Sequence, residues 1–240
     1  MARKHTLLLW SGFGVGLVAG LLLRQVMRAP DLEAVARRYR LWAPFYHVFG
    51  VDLQERLAPV RDRLAEMAGL RPGARALDLA CGTGGNLPYI RARVGATGRV
   101  VGVDYSPDML QRAQKLIDAH GWTNVHLVRA DAAALRLSER FDAVLCSFGL
   151  SAIPDYIAAM RCALDHLEPG GVFAAVDGRI GDGPMGAVLG HLVNLVSLVF
   201  GSDLSRRPWE WLAAHVTDFA YEESLFGALY WMAGRRPIRL

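Results

Sequence analysis

The sequence has no block of five or six basic residues, no nucleophilic triad and no cluster of side chains at metal-ligand spacing. The first absence, with a formal net charge of only +4, argues against nucleic acid as a partner. The others leave hydrolytic triads and metal-assisted chemistry without a foothold, so no metal is expected. There are only three cysteines, Cys81, Cys146 and Cys162, inside apolar runs where a reduced thiol behaves as a small hydrophobe. A reducing compartment is the simpler expectation. No internal repeat and no low-complexity linker occurs. A chain of 240 residues therefore reads as one well-filled domain with an appendage.

Charge is also missing from Thr6 to Leu23, a stretch preceded by Arg3 and Lys4 and closed by Arg24. As a helix this segment rises about 27 Å, close to the roughly 30 Å of bilayer hydrocarbon. A cleaved leader would need a clean small-x-small site before Pro30, and none follows. The expectation is a membrane anchor over residues 1–28, single-pass. The cluster Arg24, Arg28, Arg37, Arg38 and Arg40 suits an anionic lipid surface and turns the body toward the cytoplasm. Gly12, Gly16 and Gly20 fall on one helix face, where close approach permits a homodimer, although glycine is common in membrane helices.

Residues 29–70 read as an aromatic-rich helical lid or linker, and 71–240 as the main domain, with an insert or cap at about 178–213. In that domain short apolar runs alternate with helical patterns, the mark of βαβ units around a parallel sheet. Strands are expected near Ala76–Ala80, Val100–Asp104, Val125–Arg129, Phe141–Ser147 and Gly171–Asp177. Helices are expected near Asn86–Val94, Pro107–His120 and Pro154–Leu167, with both prolines in first turns. Pro169-Gly170-Gly171 reads as a turn into the fifth strand. Val216–Ser224 and Leu225–Ala233 complete the sheet as an antiparallel pair. The fold class is α/β: a doubly wound, mostly parallel, seven-stranded sheet.

The first strand runs into Leu77-Asp78-Leu79-Ala80-Cys81-Gly82-Thr83-Gly84-Gly85. Glycines here let backbone pass close to a ligand, and ligands of such sheets sit beyond the carboxyl ends of the strands. The third glycine of the dinucleotide fingerprint is absent, which disfavours a nicotinamide oxidoreductase. Asp104 ends the second strand, where a carboxylate can accept both ribose hydroxyls. Asp131 follows the third. Either acid alone could be a helix cap.

This run resembles the class I S-adenosylmethionine-dependent methyltransferases, over roughly Gly69 to Asp177. The resemblance implies S-adenosylmethionine as cofactor. It implies a site built from Asp78, Ala80, Gly82, Gly84, Asp104, Tyr105, Met109 on the adenine, Asp131 and Ala132 at the adenine edge, and Ser147 and Phe148 near the methionine. Leu167-Glu168-Pro169-Gly170-Gly171 is similar to the family's turn before strand five. Arg38 to His47 resembles the N-terminal segment of the UbiE-like and bacterial phospholipid N-methyltransferases. There a tyrosine-rich helix closes over the cofactor, which makes Tyr39 and Tyr46 catalytic-lid candidates; His47 stands where the family has an acid.

Methyl transfer from a sulfonium is an in-line displacement, so a catalytic base leaves little trace in sequence. Met185–Phe200 is an apolar run containing His191 and Asn194, three apart on one helix face. It reads as a buried helix or as a cap over a lipophilic substrate, with His191 a candidate at its head and a second membrane span less suited. Trp209 and Trp211 would suit a membrane interface. The expected partner is a lipid or quinone-like molecule. The expected chemistry is N-methylation of a phospholipid amine, toward which Gly84–Pro88 leans, with C- or O-methylation of an isoprenoid quinone precursor as the alternative. A membrane-tethered protein that holds the cofactor without turnover is a further alternative.

Overall fold

The computed structural model describes residues 31–35, 37, 57–183, 186, 190, 191, 194, 197 and 201–238. The expected anchor, with Gly12, Gly16 and Gly20, lies outside the described residues, as do Tyr39, Tyr46 and His47. Among the described residues no helix is long and apolar enough to cross a membrane.

The chain runs α1 (Ala58–Met67), β1 (Arg75–Leu79), α2 (Leu87–Val94), β2 (Arg99–Asp104), α3 (Pro107–His120), β3 (Val125–Arg129), a 3-10 turn (Ala132–Ala134), β4 (Phe141–Ser147), α4 (Tyr156–Asp165), β5 (Leu167–Gly178), α5 (Pro208–Ala213), β6 (Thr217–Ser224) and β7 (Leu229–Arg235). The sheet order is β3-β2-β1-β4-β5-β7-β6. The first five strands are parallel, and β7 is antiparallel to β5 and β6. The order reverses between β1 and β4, which opens a crevice at their carboxyl ends.

Period-two alternation divides the core between the two faces of the sheet. Leu77, Leu79, Val101, Val103, Val144 and Phe173 face α4 and α5, sharing a cluster with Ala159, Met160 and Leu212. Ala76, Val100, Ala143, Leu145 and Ala174 face the other way, onto Leu64, Leu87, Ile90 and Ile117. Both faces being covered, the inner strands are largely apolar, and β1 is buried from Ala76 to Leu79, the acid Asp78 included.

Three boundaries differ from the sequence expectation. Pro107 opens α3 behind the Ser106 cap, but Pro154 stands before the Asp155 cap of α4 and outside the helix. Pro169-Gly170-Gly171 lies inside β5, where the register with β4 shifts between Phe141 and Ala143. The last strand starts at Leu229, because residues 225–228 form the hairpin turn. Leu225 and Phe226 adopt left-handed backbone there, and Phe226 is almost wholly exposed. Their apolar bulk mimics a strand, while Gly227 supplies the turn.

The chain between β5 and α5 is pinned at several points. The described positions from 183 to 197 are all helical. Asn194 Oδ1 accepts from the Leu204 N–H at 2.7 Å, and the Asp203 N–H donates to Ser151 O at 2.8 Å. Arg179, buried, pairs with Asp182 and Glu223 and lies 5.2 Å from the centre of the Trp209 ring. Trp209 packs against Tyr221 and Tyr230, and Trp211 stacks on His215. Trp209 thus packs within the domain, while Trp211 is half-buried beside the exposed His215.

Candidate functional site

A cavity of about 480 Å³ opens where the parallel strands end. That volume suits a cofactor-sized ligand. Its wall is set first by backbone. Ala80, just past β1, and Phe148, just past β4, both take left-handed backbone, with φ of 54° and 53°. Non-glycine residues rarely sit there, and such strain gathers at functional sites. Hydrogen bonds of the sheet hold both bends: the Cys81 N–H donates to Val103 O at 2.9 Å and the Phe148 N–H to Val176 O at 2.8 Å.

Asp104 lines the cavity at the tip of β2. Its Oδ2 accepts from the Gly82 N–H and its Oδ1 from the Ser106 N–H, each at 2.8 Å. The acid thus fastens the glycine bend to the second strand as well as lining the cavity. Burial pushes its carboxyl above the usual range, against the pull of those N–H donors. Asp131 lines the same cavity after β3, with Oδ1 accepting from the Ala133 N–H at 2.8 Å. Each acid performs the cap or turn duty that sequence offered as the alternative, and each also borders the ligand space.

Of the expected cofactor residues, Ala80, Gly82, Asp104, Tyr105, Met109, Asp131, Ala132, Ser147 and Phe148 line this one cavity. Asp78 and Gly84 do not. Asp78 shares the Ala76 side of β1 and is fully buried beneath the bend. Its Oδ1 accepts from Asn86 Nδ2 at 2.7 Å, Asn86 Oδ1 accepts from Ser147 Oγ at 2.9 Å, and Asp78 Oδ2 accepts no hydrogen bond among the described residues. Burial drives this carboxyl up to about 7. Gly84 serves packing: at φ of 85°, an added Cβ would lie 2.8 Å from Leu87 Cδ1. His191 is exposed and outside the cavity wall.

Sequence reasoning missed two charged wall residues. Arg61, on α1, lays its guanidinium so closely on Gly85 that an added Cβ there would meet its carbon at 2.6 Å. The signal was the second glycine of the pair Gly84-Gly85, which lines the cavity and makes room for a side chain. Asp177, at the end of β5, is the other; nothing in its local sequence separates it from a turn residue. Around Asp177 the wall continues through Ser151, Ala152, Ile153 and Leu204, and the apolar Leu32, Val35 and Leu57 close it from the N-terminal side. The arrangement offers a nucleoside two carboxylates and a bare bend, offers a carboxylate the cation Arg61, and is otherwise walled mostly by apolar groups. Among the described residues no group of side chains could hold a metal ion.

Comparison with known proteins agrees with this architecture. A family model described as a methyltransferase domain matches residues 76–171. A demethylmenaquinone methyltransferase from Staphylococcus aureus is 32% identical over 169 residues, covering 69% of this chain and 69% of that protein. Among solved structures, a phosphoethanolamine N-methyltransferase from Haemonchus contortus, in complex with S-adenosyl-L-methionine, superposes with a TM-score of 0.64 at 16% identity. It covers 75% of this chain and 53% of that one. A SAM-dependent methyltransferase from Aquifex aeolicus gives 0.54 at 17% identity, covering 73% and 88%. These two likenesses are of fold.

Proposed function

This chain belongs to the class I S-adenosylmethionine-dependent methyltransferases, and we propose that it methylates the head of a lipophilic substrate at a membrane, a phospholipid amine foremost. Its cofactor is S-adenosylmethionine, and the cavity suits it. Asp104 would hold the ribose hydroxyls, Asp131 the adenine edge, Met109 and Tyr105 the flat of the base, and Arg61 the amino-acid carboxylate. When bound, the cofactor supplies a methyl carbon activated by its sulfonium. The chain's own part is to align an acceptor atom with that carbon and keep water from it.

The observation that carries the lipophilic reading is the apolar share of the cavity wall, which beyond the residues assigned to the cofactor includes Leu32, Val35, Leu57, Ala152, Ile153 and Leu204. Leu32 follows Arg24, the end of the uncharged N-terminal stretch, by eight residues. Part of this wall would thus be made by chain that has just left the bilayer. Anchoring through residues 6–23, a body facing the cytoplasm, and self-association through Gly12, Gly16 and Gly20 belong to the same proposal. Tyr39 and Tyr46 would then close the site from above. Methylation of an isoprenoid quinone precursor is the second reading, favoured by the demethylmenaquinone methyltransferases among the relatives.

Membrane lipid extract incubated with radiolabelled methyl donor, then resolved by chromatography, separates the two. Label in an amine headgroup supports the first reading, label in a quinone the second, and no lipid label overturns both. Deleting residues 1–28 should release the protein from membranes with cofactor affinity intact; a truncated protein that still sediments with vesicles would show attachment through the body.

A further inference from the structure

The nucleoside accounts for Asp104 and Asp131, which leaves one carboxylate in the cavity wall without a task. Asp177 is 2% exposed, at the carboxyl end of β5, on the side of the cavity away from the glycine bend's partner strands β2 and β3. Its Oδ2 accepts from the Ser151 N–H at 2.9 Å. Its Oδ1 accepts from Ser151 Oγ at 2.9 Å and from the Gly178 N–H at 2.8 Å. All three donors are neutral. They fix where the carboxylate points without cancelling its charge.

Among the described residues, the groups that act on Asp177 are few. From β4 comes the buried Cys146, and from β7 the buried Tyr230; burial raises both, so neither carries charge at neutral pH. The cation that acts on it, Arg206, precedes α5 and is committed elsewhere, donating to the Leu150 and Ile153 carbonyls and lying 3.7 Å from Asp203. Burial therefore dominates and lifts the Asp177 carboxyl to about 6. A group in that range is ionised at neutral pH yet basic enough to take a proton, the balance that proton transfer requires.

We propose that Asp177, oriented by Ser151, is the base that takes the proton from the acceptor's nucleophilic group. This rests on the methyltransferase reading above and adds the residue that handles the acceptor. For an ammonium head the step balances simply. The carboxylate removes one proton, leaving a neutral amine and a carboxylic acid. The amine lone pair then forms the N–C bond as the C–S bond breaks, and the electron pair of that bond stays on sulfur. The proton leaves Asp177 for solvent after product departs. A carboxylate whose hydrogen-bond donors are all neutral also attracts a cationic head, which favours the amine over the quinone precursor. For a quinol the same carboxylate would take the hydroxyl proton; the resulting phenolate raises electron density on the ring carbon, which forms the C–C bond as the C–S bond breaks. The proton on that carbon is then lost to water as the ring regains aromaticity, and the carboxylic acid returns its proton to the oxygen.

The test uses the full-length protein in vesicles of phosphatidylethanolamine with phosphatidylcholine, and in parallel vesicles carrying a demethylated menaquinol, each with radiolabelled methyl donor. Asp177→Asn, close in shape, should lower kcat at least about 100-fold on the acceptor that wild type labels, with cofactor affinity within about twofold by calorimetry. Ser151→Ala, which removes one bond to the carboxylate, should shift the acidic limb of the kcat profile to higher pH, and Asp177→Glu should restore part of the rate. Amine labelling that Asp177→Asn abolishes supports both the base and the substrate reading. Quinol labelling that it abolishes keeps the base and removes the amine. Full turnover in Asp177→Asn, or loss of cofactor affinity in parallel with rate, overturns the base whichever acceptor is labelled. No labelling of either lipid by wild type overturns the base together with the reading beneath it.

Discussion

The two sides of the cavity are built by different means. On the nucleoside side, β1, β2 and β3 end in acids and glycines whose places follow from backbone: Asp104 is tied to Gly82 and Ser106, Asp131 to Ala133. On the acceptor side, β5 alone ends in a carboxylate, held by the Ser151 and Gly178 N–H groups and by the Ser151 hydroxyl, and the wall draws on chain from before α1 and after β5. A frame fixed by the sheet suits a ligand common to many enzymes. A wall assembled from loops and an insert suits a ligand particular to one. The difference teaches where this protein's specificity resides.

The comparison can be pressed hardest through pH, since each side keeps a buried acid. Asp78, behind the bend, sits at about 7 and Asp177 at about 6, both above the 3.8 of an exposed aspartate. The folded protein therefore binds more protons than the unfolded chain between those values. The stability this gives is complete below pH 3.8 and lost as pH rises through 6 and then 7. Denaturant titrations of ligand-free protein should show a fall of a few kcal/mol from mildly acid to mildly alkaline pH. Asp78→Asn should flatten that slope more than Asp177→Asn does; equal slopes would mean the two sides are equally desolvated.

Next in size is the division of labour itself. Asp104→Ala should weaken cofactor binding by roughly 100-fold, about 2.7 kcal/mol, because it removes a ligand group and frees the Gly82 N–H. If Asp177→Asn weakened it as much, the two sides would not be separable. Gly84→Ala should cost about 2 kcal/mol of stability, from left-handed backbone and contact with Leu87 and Ala113, as read by thermal unfolding. Smallest is Gly85→Ala. The new methyl meets the mobile end of Arg61 rather than backbone, so cofactor affinity should fall about tenfold, or about 1.4 kcal/mol, while the melting temperature holds.

The nucleoside side was legible in the sequence because a parallel strand buried on both faces declares its ends, and acids placed at those ends need no tertiary knowledge. Where the cavity wall differs from the reading, the cause is tertiary. Asp78 looked like a ligand residue from its place beside the glycines, yet alternation with Leu77 and Leu79 turns it toward α2. Gly84 looked like a bend for a ligand and is a seat for Leu87. Arg61 comes from a helix before the sheet, and only the folded chain lays it on Gly85. Asp177 precedes a glycine after an apolar strand, as ordinary turn aspartates do. His191 shares a face with Asn194, but Asn194 spends its oxygen on Leu204 and His191 is left at the surface.

The bends at Ala80 and Phe148 are held by the sheet's own hydrogen bonds, so the slot between them exists before any ligand arrives. Every grip that slot provides would fall on parts of the donor that survive the reaction. Spent S-adenosylhomocysteine should then bind about as firmly as fresh donor and compete with it, a balance that competition calorimetry would read directly. The pace of such an enzyme would be governed less by bond-making than by how quickly its surroundings carry the by-product away.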